Sequence, residues 1–414
     1  MSRPVAQELQ RAARHLLQQP LTCAELNPEE FTLIRRHEHE LDRLFTQRLG
    51  YRMQLTADTA RLYKSTVLPH RPVLAAPINS KRALSQRECV LLSLVLAAVA
   101  SGPRIISLRD LIDLVRTASV DAEVSISDEP MDRRAMIMAL KWMIAAGLLT
   151  ELHEQIDRYE QDSSADAILE VFPERVALLP LPKLSRAESV SDLFSDSGQS
   201  APMRQTLRAY IAENPVMYRE DVSDYEWSEM RRRLGEDVAT LDELFGLRVE
   251  VRAEGIAAID PMGKLSDQLF PTTGTVGHAA LLLIEEVLKM PDASCSIDVV
   301  DACLEKLAKT YQRIWAKSFL EDVRSLRLQV IDLLDNMRLC ESSGNAIRLL
   351  PAAARFRVTA ETDSMSDAAD TTSARRSSAL STQSRKSTQK KTAKQKSKSS
   401  GDNDSNGNGQ QSLW

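Results

Sequence analysis

LRAYIAENPVMYREDVSDYEWSEMRRRLGEDVATLDELFGLRVEVRAEGIAAIDP, residues 207–261, decides how this chain is organised, because the chain contains a similar stretch near its start. That earlier stretch, residues 12–64, reads AARHLLQQPLTCAELNPEEFTLIRRHEHELDRLFTQRLGYRMQLTADTARLYK. Similarity over so long a distance indicates a duplicated structural unit, which must be recognised before any single helix or strand is assigned.

The two copies share landmarks in the same order. Each begins with a short amphipathic helix that ends at a proline, passes a polar turn, and continues through an aromatic residue and an arginine pair to a glycine. After the glycine apolar residues alternate and the copies align without a gap, which predicts a β-hairpin. A helical segment that leads into a small hairpin is typical of a winged helix. The landmarks are Pro20 and Pro215, Phe31 and Trp227, Arg35-Arg36 and Arg231-Arg232, and Gly50 and Gly246.

A second type of unit follows the first copy. Ser85 and Glu88 have the spacing of a capping box, which supplies acceptors to the free N–H groups of a first helical turn. A strong apolar run then predicts a buried helix, and the remaining pattern predicts a strand, two helices and two strands. The predicted bounds are a helix to Ala100, a strand at Ile105-Ile106, helices from Ser107 to about Thr117 and at Asp132–Ala146, and strands at Leu148–His153 and Ala167–Leu179, with a hairpin broken at Pro173 as the alternative for the last.

The second copy is followed by a unit of the same type. Three helices are predicted at His278–Lys289, Ile297–Tyr311 and Phe319–Asn336, and a hairpin at Met337–Glu341 and Asn345–Leu350. The ends of the two units look alike, because Val176–Pro180 resembles Ile347–Pro351.

The predicted architecture is therefore mainly α with small β-hairpins, an α+β fold of tandem winged helices from an internally duplicated pair. The units are A (1–64), B (85–180), A′ (204–261) and B′ (272–355), with a linker at 181–203. Residues 361–414 hold few apolar residues and are predicted to be a disordered basic tail.

Charge and cysteine content bound the environment. The formal net charge of −5 divides into −8 for residues 1–360 and +3 for residues 361–414. Five cysteines without a CxxC pair favour a reduced, intracellular protein, and the N-terminal helix lacks the apolar segment of a signal peptide. The longest apolar run, Cys89–Ala100, is too short to cross a bilayer. A cytoplasmic, nucleoid-associated protein without a membrane partner is expected.

Motifs for catalysis are not apparent, so we predict no catalytic residue, no metal site and no cofactor. Thr273–His278 resembles a phosphate-binding loop but lacks its lysine. His37 and His39 are two residues apart and do not have the i, i+4 spacing of a zinc-binding helix. The loop is more simply the approach to a helix, and His37 and His39 a solvated helix face. His153 and His278 stand alone and are expected to be ordinary structural histidines.

Three groups of basic residues are candidates for DNA contact, each with a bland alternative. For those on the third helix of unit B, and for the cluster at 231–233, a solvated edge is favoured over DNA contact, because the unit B helix is mostly apolar. The tail could bind phosphates without defined geometry, or only increase solubility. Removing it is expected to leave the fold intact and to weaken DNA binding in a salt-dependent way. The candidates are Arg133, Arg134 and Lys141; Arg231, Arg232 and Arg233; and Arg385, Lys386, Lys390, Lys391, Lys394, Lys396 and Lys398.

The order and spacing of six segments resemble the MukE-like "kite" subunits, tandem winged-helix proteins encoded beside an SMC-like ATPase in bacterial type II Wadjet systems of plasmid defence. The resemblance covers roughly residues 5–355. It implies a non-enzymatic subunit that holds a kleisin-like partner and touches double-stranded DNA, while an SMC-like ATPase and a Toprim-type nuclease are separate chains. The segments are ARHLLQQPL, NPEEFTLIRRH, LGYRMQLTADTARLYK, ENPVMYRED, LFGLRVEVRAEGIAAIDP and FPTTGTVGHAALLLIEEV.

Two other functions compete with this one. A free-standing winged-helix transcriptional regulator would need a polar, basic third helix, and an enzyme would need a convergent polar cluster. The duplication further predicts that the two halves pack as an internal pseudo-dimer, with homodimers of an open chain as the alternative. In that arrangement the halves could specialise, since Arg133-Arg134 has no basic counterpart at Asp322-Val323, which we expect at the start of the corresponding helix.

Overall fold

The structure is a computed structural model that describes residues 3–64, 83–179, 188–189, 203–266 and 269–357. Helices dominate, and four small antiparallel sheets lie between them, so the predicted α+β class is confirmed. In each sheet the third strand of a unit lies between the first and the second. Every unit has the order helix, strand, helices and hairpin, which is that of a winged helix; two helices lie between the strand and the hairpin in A, B and A′, and three in B′. The tail 361–414 and the linker, apart from 188–189 and Met203, lie outside the described residues.

Unit A has its hairpin directly after a helix that ends at a glycine. Gly50 has φ 71°, a left-handed conformation that glycine adopts without steric cost. The three-residue strand β1 was not predicted, because so short a segment shows no alternation. The elements are α1 (Arg3–Gln18), β1 (Leu21–Cys23), α2 (Pro28–Arg36), α3 (Glu38–Leu44) with a π-helical turn (Phe45–Leu49), β2 (Arg52–Leu55) and β3 (Thr59–Tyr63).

Unit B begins with the predicted capping box, in which Ser85 Oγ accepts from the N–H of Glu88 and the Glu88 carboxylate accepts from the N–H of Ser85. The strand predicted for Ala167–Leu179 ends at Val171. Pro173 instead starts a helical turn, where its missing N–H sacrifices no hydrogen bond. The elements are α4 (Gln86–Ala100), β4 (Ile105–Ser107), α5 (Leu108–Asp121), α6 (Pro130–Ala145), β5 (Leu149–His153), α7 (Arg158–Gln161), β6 (Ile168–Val171) and α8 (Pro173–Val176).

Unit A′ repeats unit A nearly residue for residue. Its second and third helices and both hairpin strands lie 196 positions after their counterparts, and the first strand lies 195 positions after. The pairing is also repeated, since Leu55 lies opposite Ala60 and Val251 opposite Ile256. The elements are α9 (Met203–Glu213), β7 (Val216–Tyr218), α10 (Asp224–Arg232), α11 (Leu234–Phe245), β8 (Arg248–Val251) and β9 (Gly255–Ile259), with a 3₁₀ turn at Arg219–Asp221.

Unit B′ differs from the prediction in two places. The helix predicted for Phe319–Asn336 is divided at Asp322, whose carboxylate accepts from the N–H of Ser325 and caps the second part. Pro351 follows the last strand as Pro173 does in unit B, so the predicted match of Val176–Pro180 with Ile347–Pro351 is wrong. The elements are α12 (Thr275–Val287), β10 (Ser294–Ser296), α13 (Ile297–Thr310), α14 (Lys317–Glu321), α15 (Val323–Asn336), β11 (Cys340–Ser343) and β12 (Ala346–Leu349), with 3₁₀ turns at Pro291–Ala293 and Pro351–Phe356.

Units A and A′ share one hydrophobic core. It includes Phe45 and Tyr51 from unit A and Trp227 and Phe245 from unit A′. The rings of Phe45 and Phe245 meet with their centroids 6.3 Å apart. Units B and B′ each have a separate core. The two halves of the chain therefore bury a common surface through A and A′.

Polar contacts across this A–A′ interface come in matched pairs. The last carbonyl groups of a helix have no partner within the helix, so they need donors from elsewhere. A glutamine from the first helix of each unit supplies these donors to the third helix of the other unit, which is the reciprocity of a two-fold interface. The bonds are Gln10 Nε2 to Asp242 O (2.9 Å) and Glu243 O (3.2 Å), and Gln205 Nε2 to Thr46 O (3.2 Å) and Gln47 O (3.0 Å).

Each A-type unit also contacts its own B-type unit through an arginine. In the first half Arg175 donates to Gly147 O (2.8 Å) and to the carboxylate of Asp58 (2.9 Å). In the second half Arg338 donates to both carboxylate oxygens of Asp221, at 2.9 and 2.6 Å. Gly147 and Arg338 occupy equivalent positions after the third helix, and both have positive φ, 72° and 54°. The two halves thus use different arginines for the same junction.

Candidate nucleic-acid interface

Winged helices that bind DNA insert the N-terminal end of the third helix into the major groove. The corner between the second and third helices therefore decides which of the units A′, B and B′ suits DNA. In unit A′ this corner contains the predicted Arg231, Arg232 and Arg233, all exposed, and Arg232 pairs with Glu229 at 2.6 Å. Residues 229–237 hold three basic and three acidic residues, so the corner has no net charge.

The basic residues predicted on α6 of unit B lie against the hairpin of the same unit. That hairpin carries α7, which packs on α6. Arg134 Nε lies 2.9 Å from the Glu160 carboxylate, and Lys141 Nζ lies 2.5 Å from Asp157. The Nε of Arg133 is buried and has no hydrogen-bond partner in the described part of the chain. Arg134 and Lys141 are therefore exposed but paired with carboxylates of the hairpin.

The corner of unit B is acidic. Residues 117–133 hold five acidic residues and one basic residue. One of the acids, Asp132, accepts hydrogen bonds from the guanidinium of Arg87 (2.8 Å) and from the N–H of Ser127 (2.8 Å). These bonds, chiefly the one from Arg87, lower the pKa of Asp132 to about 2. Asp132 is thus a fixed negative charge at neutral pH.

The corner of unit B′ has the opposite charge. Residues 306–324 hold five basic and two acidic residues. All five basic side chains are exposed, and within the ranges that the structure describes none of them pairs with a carboxylate. They are Lys306 and Lys309 near the end of α13, Arg313 in the connection, Lys317 at the start of α14 and Arg324 at the start of α15. We call these five residues the basic corner.

Aromatic contacts fix the connection between α13 and α14. The buried Trp315 donates from Nε1 to Nδ1 of His278 (3.1 Å), and the ring of Tyr311 meets that of His278 with centroids 4.9 Å apart. The N–H of Ala316 donates to Thr275 Oγ1 (2.9 Å). Because Nδ1 of His278 accepts, a neutral imidazole carries its proton on Nε2. The connection that carries Arg313 is therefore held against α12.

A family model described as "Protein of unknown function (DUF2398)" matches residues 13–359. The chain belongs to this family. The match begins within α1 and ends just after the last described residue of unit B′, so it includes nearly all of the four winged helices. Searches of the curated proteins and of the solved structures give no match.

Sequence reasoning missed the basic corner of this DUF2398 chain because its residues are scattered over 19 positions and separated by apolar residues. It also misplaced the start of the corresponding helix. When the sequences are aligned at the equivalent positions Gly147 and Arg338, Arg324 aligns with Arg133, and Asp322 and Val323 do not. The predicted lack of a basic counterpart is therefore wrong. Counting charges between the second and third helices would have revealed the corner. The predicted tail residues Arg385, Lys386, Lys390, Lys391, Lys394, Lys396 and Lys398 lie outside the described residues.

The histidines considered in the sequence either contact other residues or are exposed. The ring of His37 lies 3.2 Å from the Glu8 carboxylate, at the junction of α2 and α3, and His153 is largely exposed. Among the described residues no three His, Cys, Asp or Glu side chains gather as a metal site. No helix in the described ranges has both the length and the apolar character to cross a membrane.

Proposed function

We propose that this chain is a non-catalytic kite subunit of an SMC-like complex. It binds a kleisin-like partner and double-stranded DNA in defence against plasmid DNA, while the SMC-like ATPase and a Toprim-type nuclease are separate chains. The sequence resemblance over residues 5–355 supports this proposal. The structural observation that carries it is the core shared by units A and A′.

The shared core matters because kite subunits, which the sequence resembles, pair with each chain giving two winged helices. In this chain the equivalent pairing takes place between A and A′. Each half then brings one B-type winged helix. A single chain can thus provide the four winged helices of a kite pair, with two halves free to diverge.

A free-standing regulator is the alternative, and the distribution of charge favours it less. Dimeric regulators read two half-sites with equivalent helices. Here the corner of B′ is basic and that of B is acidic, so two equivalent contacts with DNA are not available.

Co-purification tests the proposed function. The chain, tagged and co-expressed with a kleisin-like protein and an SMC-like ATPase encoded beside it, is expected to recover both, the ATPase only when the kleisin-like protein is present. A chain that ends at Arg357 serves as a control and should recover the same partners. Isolation of the tagged chain alone would contradict the proposal, as would DNA cleavage or ATP hydrolysis by the purified chain that a point mutation in it abolishes.

A further inference from the structure

Resting on this proposed function, we infer that the chain binds duplex DNA through the basic corner of unit B′, while unit B does not contact DNA. Neither the sequence resemblance nor the family match assigns such a site. The inference depends on the position of the corner, its charge, and the contrast with unit B.

The basic corner lies where a winged helix meets DNA. It includes the N-terminal end of α15, which corresponds to the third helix of the other units, and this end of a third helix is the part that enters the major groove. Arg324 lies in the first turn of α15. The acidic Asp332 and Asp335 lie in its last turns, so only the N-terminal end suits contact with phosphates. The major groove of B-DNA admits a helix, whereas that of A-form RNA is too narrow, so the geometry favours DNA.

The charges of the basic corner are free to bind phosphates. Its five cations have no carboxylate partner among the described residues, so DNA phosphates would not have to displace one. The nearby Arg327 differs, because it pairs with Asp301 and is only partly exposed. Two acidic residues, Glu321 and Asp322, lie in the same segment, and the Asp322 carboxylate is occupied as the cap of α15. Ile314, 72% exposed, follows Arg313 in the same connection and can meet sugars or thymine methyl groups.

Unit B differs from unit B′ in its hairpin and in the charge of its corner. The hairpin tip of B′ is the short, uncharged segment Ser342–Asn345, which leaves the third helix open. The hairpin of B is longer and carries α7. Its Glu160 and Asp157 pair with Arg134 and Lys141. Two of the five acids in the corner of unit B are paired, Asp128 with Arg116 and Asp132 with Arg87. The other three, Asp121, Glu123 and Glu129, are exposed and repel phosphates. The duplicated halves have therefore diverged so that one B-type unit suits DNA.

Fluorescence anisotropy with a 30-base-pair duplex and the full-length chain, over a series of salt concentrations, tests this inference. The variant carries Lys309→Glu, Arg313→Glu and Lys317→Glu, all at exposed positions. The matched control carries Arg231→Glu, Arg232→Glu and Arg233→Glu, which change the net charge equally in the corner of A′. The tail is present in all three proteins and contributes equally.

The B′ variant is expected to bind at least tenfold more weakly, and its salt slope should fall by about 2 to 3, at about 0.9 for each lost phosphate contact. The control should bind within about twofold of the unaltered chain, because the corner of A′ has no net charge and no phosphate contact is expected there. Equal losses in both variants, or no loss in the B′ variant, would overturn the inference. So would equal affinity of the unaltered chain for duplex DNA, single-stranded DNA and duplex RNA, or no affinity for duplex DNA.

A separate readout distinguishes failure of the site from failure of the proposed function. The B′ variant should still recover the kleisin-like partner, and its circular dichroism spectrum should match that of the unaltered chain. DNA results as expected, combined with no recovered partner, would leave the site supported and reject the kite role. A recovered partner together with unchanged DNA binding would reject the site alone.

Discussion

Replacing Arg208 by alanine is expected to destabilise the chain by about 3 kcal/mol, because the buried Asp237 carboxylate loses the more deeply buried of its two arginine partners and keeps only Arg204, at 3.1 Å. Arg208 and Asp237 are 5% and 3% exposed, and Nε of the arginine lies 2.5 Å from the carboxylate. The same guanidinium donates across the A–A′ interface to Arg48 O at 3.3 Å. Urea unfolding monitored by intrinsic fluorescence measures the loss, since Trp227 is buried in the shared core.

Two controls separate burial from charge. Arg11→Ala removes ion pairs to Glu29 and Glu30 from an arginine whose side chain is 53% exposed, and should cost less than about 1 kcal/mol. The double variant Arg208→Met with Asp237→Leu should regain most of the stability, because no unpaired charge remains. Equal costs for Arg208→Ala and Arg11→Ala would show that the buried pair is not as the structure describes.

Phe245→Ala is expected to destabilise the shared core by about 3–5 kcal/mol, the usual cost of removing a buried phenyl ring. Phe245 is fully buried and meets Phe45 of the other half. Phe45→Ala should have a similar cost, and the double variant should cost less than the sum, by about 0.5–1.5 kcal/mol for the aromatic pair alone. The same urea unfolding measures all three variants.

Coupling between these two rings reports contact between the halves, because they belong to different copies of the repeat. Phe356→Ala is the matched control, since this ring is only partly buried in unit B′ and contacts Phe270 of the same unit. It should cost less and show no coupling to Phe45→Ala. Strict additivity of Phe45→Ala and Phe245→Ala would contradict a direct contact between A and A′.

The sequence predicts the repeated framework well because local signals fix it. Gly50 and Gly246 both have positive φ, as expected for glycines that end a helix before a hairpin. Ser85 and Ser107 both cap helices as their spacing predicts. These features depend on a few neighbouring residues, so a single sequence reveals them.

Features that depend on distant residues were missed or misassigned. The strand predicted beyond Val171 became a helical turn because Pro173 can start a helix as readily as it can end a strand. Arg134 and Lys141 looked available for DNA, but their acidic partners lie 26 and 16 residues away in the hairpin. The basic corner was missed for the opposite reason: its charges lie on separate elements, which come together only when α13 and α15 pack on each other.

Pairing of A with A′ inside one chain underlies both the proposed kite role and the proposed DNA binding by B′. It can be measured by cross-linking Gln47→Cys to Gln205→Cys with a short bis-maleimide, because the Gln205 side chain donates to Gln47 O at 3.0 Å. Peptide mass spectrometry identifies the 47–205 link, and single variants control for the five native cysteines. Internal pairing predicts this link in a product of monomer mass. The link appearing only in products of twice that mass, or not at all, would contradict it.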